Sequence, residues 1–400
     1  MPNSFVFNPL DEQTRRDPYD TYCAARRTQR IYIHPGLGAA SVFRYEDCES
    51  VLRDPTTWSN AFPQPDIEGT ESFGPPGMIG TDPPEHSRLR GLVNVAFTPR
   101  IIRQREARIR QIADELVESA IQEGSVDLVE ALTYPLPTMV IAEIIGIPPE
   151  DRAQFKQWSD EIIATVGHGL IGQPPAPDEI DASIKRRDKM SAYFDKLADL
   201  RRAEPLEDLL SGLVRAEIDG SQLDPDELLS MLILLLVAGN ETTTTLIGNC
   251  VVTLLEHPDQ LERLRADPNL VPSAVEEVLR FSSPVQVDPR CASRDIELHG
   301  EKICKDQILL CWLGAANRDA DVFERPEEFD IGRRENRHLA FGFGTHFCLG
   351  SNLARLEAQI AVRTLLEKTK DFELATDTAL PLHPSFVFRS FTQIPLKLTA

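Results

Sequence analysis

Apolar residues recur at helical spacing over most of this chain, with strand-like runs near the N-terminus, after residue 284 and at the C-terminus. From Arg88 to about Ile147 they fall three to five apart, as at Ile109, Ile112, Leu116 and Ile121, the period of a helix with one buried face. The best-defined helix opens at Asp224-Pro225-Asp226-Glu227. Asp224 can cap, Pro225 suits the first helical position, and Glu227 completes a capping box. The pattern runs to Glu256 before His257-Pro258, about 32 residues or roughly 48 Å at 1.5 Å per residue. Its first half is apolar on nearly all sides, so it should cross the middle of a large domain. A further helix is expected over Val271–Phe281, and another after Cys348. Short β-like runs surround Pro35-Gly36-Leu37-Gly38, a hairpin signal between Arg30–His34 and Ala39–Arg44. Others lie at Ile296–His299, Gln307–Leu313, Ser385–Arg389 and Ile394–Leu398.

No repeat or low-complexity linker marks a boundary, so residues 1–400 read as one domain, mainly α with a smaller β part. Two Gly/Pro-rich stretches, Gly69–Pro84 and Gly167–Pro177, interrupt helical sequence. Long irregular loops inside a compact domain are usually lids or binding loops.

Composition narrows the function. The apolar fraction of 42% and charged fraction of 26% belong to a folded chain. A net charge of −21 argues against generic binding to nucleic acid or anionic lipid. The longest apolar run, Met231 to Ala238, is far short of a membrane span, and the N-terminus lacks a signal-like cationic and apolar stretch. Seven scattered cysteines, never spaced C-x-x-C, argue against a disulfide framework, a zinc ribbon and an iron–sulfur cluster. The expectation is a soluble cytoplasmic protein that binds neither membrane nor nucleic acid and is a monomer.

The sharpest chemistry lies in Phe341-Gly342-Phe343-Gly344-Thr345-His346-Phe347-Cys348-Leu349-Gly350. Its glycines permit turns and close approach of a flat ligand. Cys348 precedes a helical pattern, where free N–H groups and the helix dipole favour a thiolate. Phe341 and Phe347 should keep water from the sulfur. A dry, anionic sulfur is what a haem iron takes as its axial ligand. A zinc site built on His346 and Cys348 lacks two further ligands at suitable spacing.

The full pattern F-G-x-G-x-H-x-C-x-G resembles the haem-binding loop of the cytochrome P-450 family. The resemblance extends along the chain. Ala238-Gly239-Asn240-Glu241-Thr242-Thr243 matches the family's A-G-x-[DE]-T-T on the long central helix, and Glu277-Val278-Leu279-Arg280 matches E-x-x-R. It implies the cytochrome P-450 fold, a long central helix over a haem b with Cys348 as metal ligand. Gly239 is expected to let a flat group approach beside Ala238, with Thr242 and Glu241 as catalytic residues that hold water and relay protons. His86, Arg90, Arg290 and His346 match the partners of the haem propionates. Phe341, Gly342 and Gly350 complete the cofactor loop. Glu277, Arg280 and Arg333 are implied to be structural. Ile303-Cys304-Lys305-Asp306 departs from the family's Ile-Pro-x-Gly turn, which affects turn geometry alone.

By this resemblance the protein inserts one oxygen atom from dioxygen into an apolar substrate, with electrons from a ferredoxin or flavodoxin and its reductase. A peroxide-driven peroxygenase is an alternative that an intact Glu241–Thr242 pair argues against. A haem sensor or carrier is the non-enzymatic alternative, and it would not need that pair. Pocket residues implied are Phe62, Met78, Ile79, Leu234, Ala238, Val285, Val287, Phe386 and Val387, which favour a hydrophobic molecule. Terpenoid, steroid, fatty acid, aromatic and polyketide substrates all fit. Five arginines between Arg100 and Arg110 (Arg100, Arg103, Arg105, Arg108, Arg110), with Arg88, Arg90, Arg333, Arg334 and Arg337, form either a solvated helix face or a dock for an acidic ferredoxin.

Overall fold

The computed structural model describes residues 5–36, 38–63, 77–163, 176–216 and 222–400. Eight of its helices bear on the site: α1 (Tyr45–Arg53), α2 (Glu85–Asn94), α3 (Pro99–Glu123), α4 (Pro135–Ile145), α5 (Arg152–Ile163), α6 (Pro225–Glu256), α7 (Val271–Phe281) and α8 (Ser351–Lys368). The capping box of α6 forms as its sequence dictates. Asp224 accepts from the N–H of Glu227 at 2.8 Å, and Glu227 accepts from that of Asp224 at 3.0 Å.

The helix α6 packs against α4, α5, α7 and α8, which makes it the axis of the core. By length and composition it could cross a membrane, with a mean hydropathy of 1.4 over its best 18 residues. Counting unbroken apolar runs misses this, because Gly239, Asn240 and Glu241 interrupt the run without making the whole window polar. Of that window 61% is buried inside the protein, as expected of a core helix.

The predicted helical stretch from Arg88 to about Ile147 is three helices with a strand between, Ser125–Asp127. Pro99 and Pro135 each start a new helix, since proline fits the first turn and breaks an interior one. A long helix over Pro177–Ala203 had no clear signal in the sequence. Residues 69–76 of the first Gly/Pro-rich stretch and 167–175 of the second lie outside the described residues.

The main sheet has five strands: β1 (Tyr32–Ile33), β2 (Ala39–Val42), β3 (Trp58–Ser59), β4 (Asp288–Ala292) and β5 (Ile308–Cys311), in the order β1-β2-β5-β4-β3. The predicted hairpin is the antiparallel pair β1–β2. β2 and β5 are parallel, with Ser41 opposite Leu310. A second sheet places Pro395–Thr399 between Ser125–Asp127 and Asp371–Leu374. The predicted strand Ser385–Arg389 is reduced to a single bridge, Val285 with Phe388. Under the main sheet Phe7, Tyr22, Phe43 and Trp312 form an aromatic cluster, with Phe7 edge-on to Trp312 at 4.9 Å between centroids.

Candidate active site

The cysteine loop joins the segment after His338 to the start of α8. The N–H of Cys348 donates to the carbonyl of Phe341 at 2.9 Å, which closes the loop on itself. Gly344 has φ +71, and a Cβ there would lie 2.5 Å from the carbonyl oxygen of Leu52 on α1. This glycine therefore serves close packing of the loop on α1, since an L side chain meets both strain and a wall. Arg90 of α2 donates to the carbonyls of Thr345 and Phe347 at 3.1 and 2.6 Å, pinning the loop from the other side.

Cys348 is half-buried and pairs with no other cysteine. Burial pushes its thiol up, while the N–H groups of Gly350 and Ser351 and the charges of Arg90 and Arg355 act the other way. The helix terminus expected to favour the anion is thus present but outweighed by desolvation. A metal ion would reverse that balance, because a coordinating thiol is deprotonated outright. Phe341 is half-buried and covered by Arg355, 4.4 Å above its ring. Phe347 is 39% exposed, so it does not share the water-excluding role expected of both rings.

Two imidazoles lie together at the loop, that of His86 on α2 buried and that of His346, within the loop itself, half-buried. The rings of His86 and His346 are 4.1 Å apart between centroids, and Nδ1 of His86 and Nε2 of His346 are buried without a partner. Burial and then Arg90 push His86 down; burial, His86 and Arg290 push His346 down to about 3. Arg290 is buried on β4, where it pairs with Asp288 and donates to the Pro289 carbonyl at 2.7 Å. Unpartnered buried nitrogens are costly unless an acceptor meets them. Two carboxylates arriving among these groups would supply such acceptors, so the residues fit a haem with its propionates.

The other wall is α6. Leu234 and Val237 are half-buried, Ala238 is exposed, and Glu241 and Thr242 are again half-buried, within a helix otherwise largely enclosed. Open space therefore borders this strip. The hydroxyl of Thr242 donates to the carbonyl of Ala238 at 2.8 Å. Burial raises the carboxyl of Glu241, against hydrogen bonding from Ser390 and Thr245. Gly239, within the same strip, also packs against a neighbouring helix. A Cβ there would meet Ile141 of α4 at 3.3 Å, so its smallness also lets α4 approach α6. Sequence reasoning also passed over Asn240, which is buried and links α6 to Thr138 of α4 at 2.9 Å and Ser159 of α5 at 3.1 Å.

Glu277 is fully buried and holds Arg280 at 2.8 Å and Arg333 at 3.0 Å, and it accepts from the N–H of Asp330 at 3.1 Å. The pocket expectations divide. Phe62, Leu234 and Val285 are half-buried, while Met78 is packed in the main core. Val287, Phe386 and Val387 are buried in the aromatic cluster, and Ile79 is 61% exposed; these four are not an open apolar wall. The arginine run also thins. Arg88 pairs with Glu85 and Glu227, Arg108 with Glu143, Arg110 with Glu367, and Arg333 with Glu277. Arg100, Arg103, Arg334 and Arg337 remain exposed. Among the described residues no cluster of three or more His, Cys, Asp or Glu could hold a bare metal ion.

Comparison with known proteins agrees with this geometry. Residues 30–397 match the family model for Cytochrome P450. The putative cytochrome P450 YjiB of Bacillus subtilis is 39% identical over 390 residues, covering 96% of each chain. The structure of cytochrome P450 CYP109Q5 from Chondromyces apiculatus aligns with a TM-score of 0.89 at 39% identity, over 98% of both chains. CYP109E1 from Bacillus megaterium, in complex with testosterone, aligns with a TM-score of 0.85 at 36% identity, over 96% of this chain and 100% of that one. The chain belongs to the cytochrome P450 family, haem b-dependent monooxygenases among the oxidoreductases.

Proposed function

We propose that this protein uses dioxygen to insert one oxygen atom into an apolar organic substrate, with electrons from a separate ferredoxin, in the cytoplasm. The observation that carries this reading is the pairing of two features on packed helices. A half-buried Cys348 sits before α8, and the accessible strip Ala238–Glu241–Thr242 opens the middle of α6.

When bound, haem supplies the redox and oxygen-activating chemistry. The chain supplies the rest. Cys348 would hold the haem iron through an anionic sulfur, and Phe341 would limit access of water to it. His86, Arg90, Arg290 and His346 offer donors to the propionates. The hydroxyl of Thr242 can release the Ala238 carbonyl and donate into the cavity. Glu241, whose carboxyl burial raises, can hold a proton and pass it on. Leu234, Ala238, Phe62 and Val285, the accessible residues of the expected apolar pocket, would orient a hydrophobic substrate. A steroid is one class to screen first, since CYP109E1 is a relative with testosterone bound.

Replacing Cys348 by Ser tests the ligand. The reduced, carbon monoxide-bound spectrum should lose its thiolate signature, because a hydroxyl is a poor anionic donor. Survival of that signature would assign the ligand to another cysteine. Product formation driven by reduced ferredoxin rather than by added peroxide separates the monooxygenase from a peroxygenase.

A further inference from the structure

The helix α7 carries two adjacent glutamates, about 100° apart around its axis, and they serve different parts of the molecule. Glu277 holds the segment around Asp330 and Arg333. Glu276 reaches the cysteine loop instead. It takes a two-pronged bond from Arg355 of α8, at 2.7 Å to Nε and 3.0 Å to the terminal nitrogen. Nε2 of His338 lies 3.1 Å from the same carboxylate. The N–H of Ala340 donates to Nδ1 of His338 at 3.3 Å, so Nε2 is the nitrogen that carries a proton and donates to Glu276. Burial pushes the Glu276 carboxyl up, yet the bonds from His338 and Arg355 outweigh it and hold it down at about 2.

The guanidinium fixed in this way lies 4.4 Å over the ring of Phe341, and the His338 ring is 6.0 Å away on centroids. Phe341 is the residue whose carbonyl holds the N–H of Cys348. A planar fork on a carboxylate and a stack on an aromatic face both demand one guanidinium orientation. Arg355 thus has little freedom while Glu276 is in place, and the Phe341 ring stacked under it is held likewise.

We propose that Glu276, Arg355 and His338 are positioning residues that seat Phe341, whose carbonyl holds the Cys348 N–H, and balance the charge at the cysteine loop, thereby setting the reduction potential of the haem. This rests on Cys348 being the axial ligand. The one-electron ferric-to-ferrous step takes its electron from the ferredoxin-class donor and adds one negative charge to the site. A nearby cation favours the reduced state and a nearby anion opposes it. With Glu276 and Arg355 both present, the two effects largely cancel.

The test is a dye-coupled redox titration of the purified haem-loaded protein. Glu276→Gln leaves the Arg355 charge uncompensated and should shift the equilibrium toward the reduced form by about tenfold, equivalent to about 59 mV for one electron. Arg355→Met leaves Glu276 alone and should shift it the opposite way, and Glu276→Asp should restore most of the parent value. Absence of a shift, or shifts of one sign in both variants, overturns the proposal. So does failure of either variant to take up haem, because the cluster would then hold the loop together rather than tune it. The ligand reading is judged separately, by the carbon monoxide spectrum of Cys348→Ser.

Discussion

Trp312 can only donate from its indole N–H, and it donates to Oγ of Ser41 at 2.8 Å. The Ser41 hydroxyl is then free to donate to Nε2 of His34, 2.7 Å away, which makes that nitrogen an acceptor. His34 is buried, and burial lowers it to about 4. Its ordinary value is about 6.5 in an unfolded chain, so the unfolded state binds more protons between those limits. Stability from this group is therefore complete above about pH 6.5 and is lost as pH falls toward about 4. The span of about 2.5 units bounds the effect at ~3 kcal/mol. Chemical denaturation at pH 7 and pH 5 should show a loss for the parent protein that shrinks in His34→Gln. An equal loss in both would mean that other groups set the acid limit. Part of this was beyond the reach of the sequence, because Trp312 lies 271 residues from Ser41.

The helix α6 shows, at the next scale, what local sequence can and cannot specify. Its start was legible because a capping box uses residues three apart, and its end because His257-Pro258 follows. The same locality made Glu277–Arg280 and the cysteine loop readable. The packing of Gly239 on Ile141 was hidden because Ile141 lies on another helix. The partners of Glu276 were hidden for a like reason, as Arg355 is 79 residues away. Ser385–Arg389 looked like a strand because its apolar residues are needed for the aromatic cluster, not for a ladder. Within α6 the strip bordering open space divides work between neighbours. Asn240 ties the helix to α4 and α5, whereas Thr242 bonds only one turn back. Thr242→Ala should therefore leave folding nearly unchanged, since the Ala238 carbonyl remains in its helix. It should divert reducing equivalents from product to hydrogen peroxide, because the cavity loses a donor that organises proton delivery. Product and peroxide measured per reductant consumed will decide this. A mutant with the parent ratio would remove Thr242 from proton delivery.

Over the whole molecule the charge of −21 should repel an acidic electron donor, so docking requires a local exception. Ten arginines near the cysteine loop suggested one from sequence alone, but charge counted along a chain ignores partners. In the folded protein Arg88, Arg108, Arg110 and Arg333 are held by carboxylates, and Arg90 is turned onto the cysteine loop, where it donates to two carbonyls. Arg105 reaches the carbonyl of Glu207 at 3.4 Å. Arg100 and Arg103 are exposed at the start of α3, and among the described residues neither has an ion-pair partner. They follow in the chain on α2, whose Arg90 grips the loop that carries Cys348, and they are the exposed charge expected to meet the donor. Exposed charges of this kind chiefly raise association rates, and salt screens them with a Debye length of about 8 Å at physiological strength. Reversing both, as Arg100→Glu with Arg103→Glu, should slow ferredoxin-driven reduction by about tenfold or more at low salt. The difference from the parent should close as salt is raised, and substrate affinity should stay nearly constant because neither residue lines the strip on α6. Stopped-flow reduction across a salt series, with substrate titrations alongside, measures both. If the parent shows no salt dependence and the reversals change nothing, these arginines form a solvated helix face and the donor docks elsewhere.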